Sequence, residues 1–571
     1  MRQIIPEQET VINCKDRCFL VTSRPGRGKT SVGLWYAERV IKNALLKDSQ
    51  QVMFLTFSRN AVYQITTASK KLLHDPSVLK RIKISTYHSF MWWLIQTFGR
   101  FAALSKSLDL IWDTKARAVL FDVGNNFREH AKQLASRVNG ITYECFAPLA
   151  SELLQTRAIR ESLSNLYPFV IVDEFQDTND DQWEIIKKIS ENSILCCFAD
   201  PDQMIHRFRG ATDNRLSILE QEKGAKRYAL QNTCLRTGEH DLLDFAEAIL
   251  ENNTPKTDPK DRYKSKFLKN YNWPNAISYW LKLTLQQFYA DYRKKGLDGA
   301  PTIAFAAYSN NSVGLIRQNL MKKSGNNKTQ YPCKTLEPDH DETIEDLIIH
   351  IANWLSNKSE KDLCLSIKII GALLAPKDIS KASKPIKSMF FPEKLLAGSL
   401  PLTHTAKNIV STLKDYKSDP NTCSDVLMES AILLRDLSAQ VKKLKNILES
   451  TGFDERISRM LDLAEKCTGV NAYKELCILK SKISNDRQNR CILQRVAPIR
   501  GRIATTMHKL KGKEFDYVAV LAMPDEKFYK LGEESEIDGR RLLYVALTRA
   551  RYDARILYME SAPPPLIAPY L

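Results

Sequence analysis

The residues best suited to chemistry in this 571-residue chain stand in two short clusters. The first reads Ser23-Arg24-Pro25-Gly26-Arg27-Gly28-Lys29-Thr30. Such a turn can wrap phosphates with backbone N–H groups, because its glycines permit close approach and the helix that follows presents its positive end. Lys29 would then lie against the β- and γ-phosphates of a nucleotide, and the Thr30 hydroxyl, at the helix start, would ligate Mg²⁺. Ser23 replaces the first glycine of the strict pattern with another small residue.

The second cluster closes the apolar run Phe169-Val170-Ile171-Val172 with Asp173 and Glu174. Paired carboxylates are ordinarily solvated surface. At the end of a buried strand downstream of a phosphate loop they read as catalytic: Asp173 holds Mg²⁺ through water, and Glu174 polarises the attacking water as general base.

Strand–loop–helix elements must position both clusters. Residues 18–40 pass from an apolar run through the turn into helical spacing, and residues 169–174 form a buried strand with acidic residues at its exit. The length calls for several sub-domains, each with its own core. Lys and Arg exceed Asp and Glu to give a net charge of +18, a field that attracts polyanions and makes nucleic acid the leading partner class. No stretch reaches the apolar length of a membrane span, so no membrane partner is expected. The N-terminal segment lacks a basic region followed by an apolar one, which points to a cytoplasmic location. The twelve cysteines include no Cys-x-x-Cys pair, and Cys196 and Cys197 lie in an apolar run that reads as a buried strand. Cys467, Cys477 and Cys491 are spaced too widely for a cluster to be assigned.

Further segments carry a resemblance. Residues 173–178 read Asp-Glu-Phe-Gln-Asp-Thr, and residues 199–211 read Ala-Asp-Pro-Asp-Gln-Met-Ile-His-Arg-Phe-Arg-Gly-Ala. With the phosphate loop, these resemble the corresponding motifs of UvrD/Rep/PcrA-type superfamily 1 DNA helicases. Thr506-Met507-His508-Lys509-Leu510-Lys511-Gly512-Lys513-Glu514-Phe515 resembles motif V of that family, and Arg540 to Ala550 resembles motif VI. Pro6-Glu7-Gln8 is similar to the element whose Gln reads adenine, Thr56 to Ala61 to motif Ia, and Thr86 to Phe90 to the next DNA-contacting motif. Cys234-Leu235-Arg236-Thr237 resembles motif IV without its usual Asn-Tyr.

The resemblance implies roles for particular residues. Lys29, Asp173, Glu174, Gln203, Arg236 and Arg549 would be catalytic, with Gln203 sensing the γ-phosphate and both arginines reaching it. Gln8, Ser23, Gly26, Gly28, Lys29, Thr30 and Glu514 would hold ATP, Glu514 at the sugar, while Thr30 and Asp173 would hold Mg²⁺. Phe57, Tyr87, His88, His206 and Phe208 would face DNA, with His206 and Phe208 stacking on bases. Lys509, Lys511 and Lys513 receive no individual assignment.

The implied fold class is α/β: two RecA-like parallel-sheet P-loop lobes with mainly helical insertions. Lobe 1A is expected over residues 1–225, interrupted by insertion 1B at about 91–165. Lobe 2A is expected at 226–345 and 496–571, separated by a divergent helical insertion 2B at 346–495. The Pro-rich tail, from Ala562 to Pro565, is expected to be stiff and extended. The implied activity is ATP-dependent 3′–5′ movement on single-stranded or tailed duplex DNA, the Lys-Gly-x-Glu-Phe form of motif V resembling the 3′–5′ branch. The alternative is a DNA-stimulated ATPase subunit that regulates a separate nuclease partner, as in anti-phage defence. RNA is a third possible substrate, since stacking loops do not test the sugar directly.

Overall fold

The computed structural model describes residues 4–104, 108–111, 113–120, 128–207, 210–230, 240–255, 264–267, 273–322, 329–335, 343–376, 381–399, 404–416, 422–450, 453–465, 467, 472, 474–476, 478–479, 501–523, 526, 533–559 and 563–570. The chain divides into two compact units, one made of residues 1–90, 156–338 and 497–571, the other of residues 91–155 and 339–496.

The first unit holds two six-stranded sheets. One contains β1 (Cys18–Thr22), β2 (Val52–Thr56), β3 (Ile82–Thr86), β4 (Phe169–Val172), β5 (Ile194–Ala199) and β6 (Lys226–Ala229), in the spatial order β3-β2-β4-β5-β1-β6. Every pairing is parallel. The central strands are apolar along their whole length, as strands covered on both faces must be. Their registers align Thr22 with Ala199 and Leu55 with Val172, so the loops leaving β1, β2, β4 and β5 emerge along one edge. Ligands of open parallel sheets bind at this edge.

The second sheet contains β7 (Lys264–Phe267), β8 (Ile303–Ala307), β9 (Lys334–Thr335), β10 (Arg502–Thr506), β11 (Phe515–Ala522) and β12 (Ala550–Met559), in the order β9-β10-β8-β11-β12-β7, again all parallel. Two α/β lobes with parallel sheets are the expected fold class. Five helices of this unit matter below: α1 (Pro6–Ile12), α2 (Lys29–Lys42), α3 (His240–Glu251), α4 (Asn310–Met321) and α5 (Glu533–Leu547). Leu242, Phe245 and Ile249 of α3 share a core with Leu542, Leu543 and Val545 of α5 and with Val518 and Val520 of β11, which places α3 in the second lobe.

Three features of the structure bear on the expected boundaries. β6 pairs with β1, so the first sheet extends past residue 225. The helix Arg157–Leu166 belongs with the first unit rather than with the insertion beginning at 91. Residues 91–155 and 339–496, which contain most of the two expected insertions, fold together as the second unit. Ala118 lies in the same core as Leu347, Ile367 and Leu434, and Lys115 pairs with Asp346 at 3.4 Å. The helix Asp113–Val119 is too short to close an apolar core alone, and it packs on the helix Glu360–Leu374. Arg456 and Glu345, both buried, pair at 2.5 Å in this unit.

The tail also departs from expectation. Leu566 and Ile567 are fully buried, Pro564 O accepts from the N–H groups of Ile567 and Ala568, and Tyr570 Oη meets Arg540 Nη1 at 3.0 Å. Burial of two aliphatic side chains overrides the extended preference of the prolines. Among the described residues no helix is long and apolar enough to cross a membrane.

Candidate nucleotide and DNA site

The turn after β1 is shaped by Gly26 and Gly28, whose φ values of 75° and 84° fall where other residues are strained. Gly28 precedes α2, so Lys29 and Thr30 enter the first helical turn, where backbone N–H groups have no partner within the helix. Ser23 is buried and its N–H donates to Ala199 O at 3.2 Å, fastening the turn to the end of β5. Lys29 Nζ donates to Ser23 O at 2.6 Å and lies 3.3 Å from Asp200 Oδ2.

Thr30 Oγ1 is 3.4 Å from Asp173 Oδ2, so the two residues expected at Mg²⁺ are adjacent. Burial, then the neighbouring charge of Glu174, pushes the Asp173 carboxyl up to about 7, with Lys29 opposing. A buried carboxylate beside a hydroxyl is a hard-oxygen donor set, and Mg²⁺ would restore the charge balance that burial upsets. Glu174 behaves oppositely. Burial acts to raise it, but Lys511 and Lys29 outweigh that and hold its carboxyl below the usual range. Adjacent acids with divergent affinities for protons suit separate roles, one at a metal and one as base. Glu174 also adopts φ 55°, a strained conformation for a side-chain-bearing residue, and Gln176 Nε2 donates to its Oε2 at 2.5 Å.

A relay of hydrogen bonds joins the two lobes here. Asp200, fully buried, accepts from Gln203 Nε2 at 2.6 Å, and Gln203 Oε1 accepts from Arg549 Nη2 at 2.6 Å. Arg549 is itself buried, just beyond α5. Lys511, which received no assignment from the sequence, enters from the second lobe. It contacts the Asp177 carboxylate, donates to Gln203 O at 2.5 Å and lies 3.6 Å from Glu174 Oε2. Burial lowers its proton affinity, but Asp177 and Glu174 prevail and raise it. Asp177 is pushed up to about 6, chiefly by burial. The signal for Lys511 was its place next to Gly512, which adopts a φ of 71°, while Lys509 and Lys513 flank the same turn.

The remaining expected residues divide. Gln8 is buried in α1 and its Oε1 accepts from Ile5 N–H at 3.4 Å. Glu514 pairs with Arg551 at 3.1 Å. Phe57 and His206 are brought together as stacked rings, 4.6 Å between centroids and 20° between planes. His206, expected to be open to the strand, is instead buried against Phe57. Tyr87, expected to face DNA, is only 2% exposed and its Oη meets Thr178 Oγ1 at 3.3 Å, because its ring packs beneath the loop after β4. His88, the next residue of the same helix, is exposed. Arg236 and Phe208 lie outside the described residues. Tyr308, at the exit of β8, lies 5.8 Å from His508, an aromatic pair on the second lobe that the sequence reading did not single out.

Comparison with known proteins matches two helicase domains in this chain. The UvrD/REP helicase N-terminal domain family matches residues 4–146 and 123–224, and the UvrD-like helicase C-terminal domain family matches residues 503–557. The ATP-dependent DNA helicase PcrA of Staphylococcus aureus is 21% identical over 97% of this chain and 83% of its own length. The protein of the same name from Staphylococcus epidermidis is 23% identical over 70% of this chain and 56% of its own. The chain thus carries a match to the UvrD/REP helicase N-terminal domain and, after it, a match to the UvrD-like helicase C-terminal domain, on two lobes that each hold a parallel six-stranded sheet.

Proposed function

We propose that this chain is an ATP-driven 3′–5′ translocase on single-stranded DNA that couples hydrolysis between its two lobes to strand movement. The observation that carries the reading is the relay Lys29–Asp200–Gln203–Arg549, which runs from the phosphate loop of one lobe to an arginine of the other. Lys29 and the turn N–H groups bind the phosphates of ATP. Glu174 takes the proton of the attacking water. Thr30 and Asp173 would hold Mg²⁺, which supplies charge neutralisation across the β- and γ-phosphates. Arg549 and Lys511 reach the same chemistry only while the second lobe is seated against the first, so a change in the phosphates changes what holds the lobes together.

The stack of Phe57 on His206, three residues from Gln203, supports coupling of that site to DNA, since a base displacing or extending the stack moves the loop that carries the relay. Polarity rests on the form of residues 511–515. A strand-displacement assay on 3′- and 5′-tailed duplexes, run beside ATPase with and without single-stranded DNA, tests the whole reading. Displacement from the 3′ tail with DNA-stimulated turnover is expected. Displacement only from the 5′ tail overturns the polarity, and stimulated turnover with no displacement favours an ATPase subunit serving a separate nuclease.

A further inference from the structure

Arg24 lies inside the phosphate-binding turn, yet its side chain reaches the second lobe. Nη1 is 2.7 Å from Glu247 Oε2 and Nη2 is 2.6 Å from Glu251 Oε1, while Nε lies 3.5 Å from Asp202 Oδ2. Glu247 and Glu251 are one turn apart on α3, so they share a face and repel one another unless a cation bridges them. The planar guanidinium can serve two carboxylates at once, which a lysine ammonium does less well.

We infer that Arg24 is a positioning residue that seats α3 of the second lobe on the phosphate loop and thereby aligns Arg549, an inference that rests on the ATPase reading above. The connection is continuous. Arg540 Nη1 of α5 donates to Ile249 O of α3 at 2.9 Å, and α5 leads directly into Arg549. On the other side, Lys29 Nζ lies 3.4 Å from Arg24 O, so the backbone that carries the latch is also held by the phosphate-binding lysine. A solvated ion pair contributes little to stability. Here two pairs bear on the equilibrium between seated and unseated lobes, where a small free energy appears directly in turnover.

The test is a double-mutant cycle on the full chain: Arg24→Gln, Glu247→Gln with Glu251→Gln, and all three together. With saturating single-stranded DNA, both partial variants are expected to lower kcat by about three- to tenfold with little change in the KM for ATP, and the triple variant to be no worse than either. A raised KM in Arg24→Gln alone would instead make Arg24 a phosphate ligand and overturn the latch. Additive losses, or wild-type kcat in every variant, overturn it as well. If the wild-type chain shows no DNA-stimulated turnover, the functional reading fails by itself, and amide hydrogen exchange still decides the latch: faster exchange of α3 in Arg24→Gln supports it, and unchanged exchange refutes it.

Discussion

Each lobe has an interior strand running through a turn into a helix, β1 to α2 in the first and β8 to α4 in the second, but only one of these helix starts is open to an anion. At α2 the turn is opened by two left-handed glycines and bordered by Lys29. At α4 the equivalent place is filled by the chain itself. Ser309 caps the helix by accepting from Ser312 N–H at 3.1 Å. Glu526, arriving from the loop after β11, accepts from Ser312 Oγ at 2.6 Å and from Ser309 N–H at 3.3 Å. A carboxylate at a helix N-terminus satisfies the orphan donors and the dipole that would otherwise attract phosphate. In the function proposed above, one lobe binds nucleotide and the other contributes by reaching across with Lys511 and Arg549. The asymmetry arises from what occupies a helix end, since both sheets are parallel and six-stranded.

The largest effects should come from the open end. Lys29→Ala removes charge compensation for the phosphates, and Glu174→Gln removes the base while keeping its shape. Both should reduce ATP hydrolysis to background, and Glu174→Gln should still bind ATP in a fluorescent-nucleotide titration. Wild-type turnover by Glu174→Gln at saturating DNA would remove the base from that residue. Next in size is the contribution from the second lobe. Arg549→Ala is expected to lower kcat by about 10³ if it stabilises transition-state charge as an arginine finger does, and near-normal turnover would leave the relay to Gln203 a structural contact only.

The coupling loop should show a smaller, DNA-specific effect. Phe57→Ala and His206→Ala are each expected to weaken single-strand affinity by about 1–3 kcal/mol at fixed salt, with the double variant little worse than either, because one ring supports the other. Full additivity would mean the two rings act separately. The smallest effect belongs to the closed helix end. Glu526→Ala is expected to destabilise the second lobe by about 1–2 kcal/mol, read by denaturant titration, while leaving ATP affinity unchanged. A large loss of ATP affinity in that variant would contradict the division of labour between the two helix ends.

The phosphate turn and the carboxylate pair are legible in the sequence because their chemistry depends on local order. Gly26, Gly28, Lys29 and Thr30 stand together in one turn and helix start, and Asp173 and Glu174 follow directly on the apolar strand that ends beside them. The parallel lobes are legible for a similar reason, since strands such as Phe169–Val172 are apolar on both faces and require cover on both. What local order leaves open is which side chains meet across hundreds of residues. Lys511 among three lysines of one turn, Arg24 reaching Glu247 and Glu251, and Tyr87 turned inward while His88 faces out are all decided by packing between elements. The tail beyond Ala562 makes the same point: its prolines favour extension, but Leu566 and Ile567 find an apolar core to enter. The fusion of two distant insertions around Ala118, Leu347 and Leu434 follows from burial too, because apolar surface is covered by whatever partner the fold brings near, however far apart in the chain.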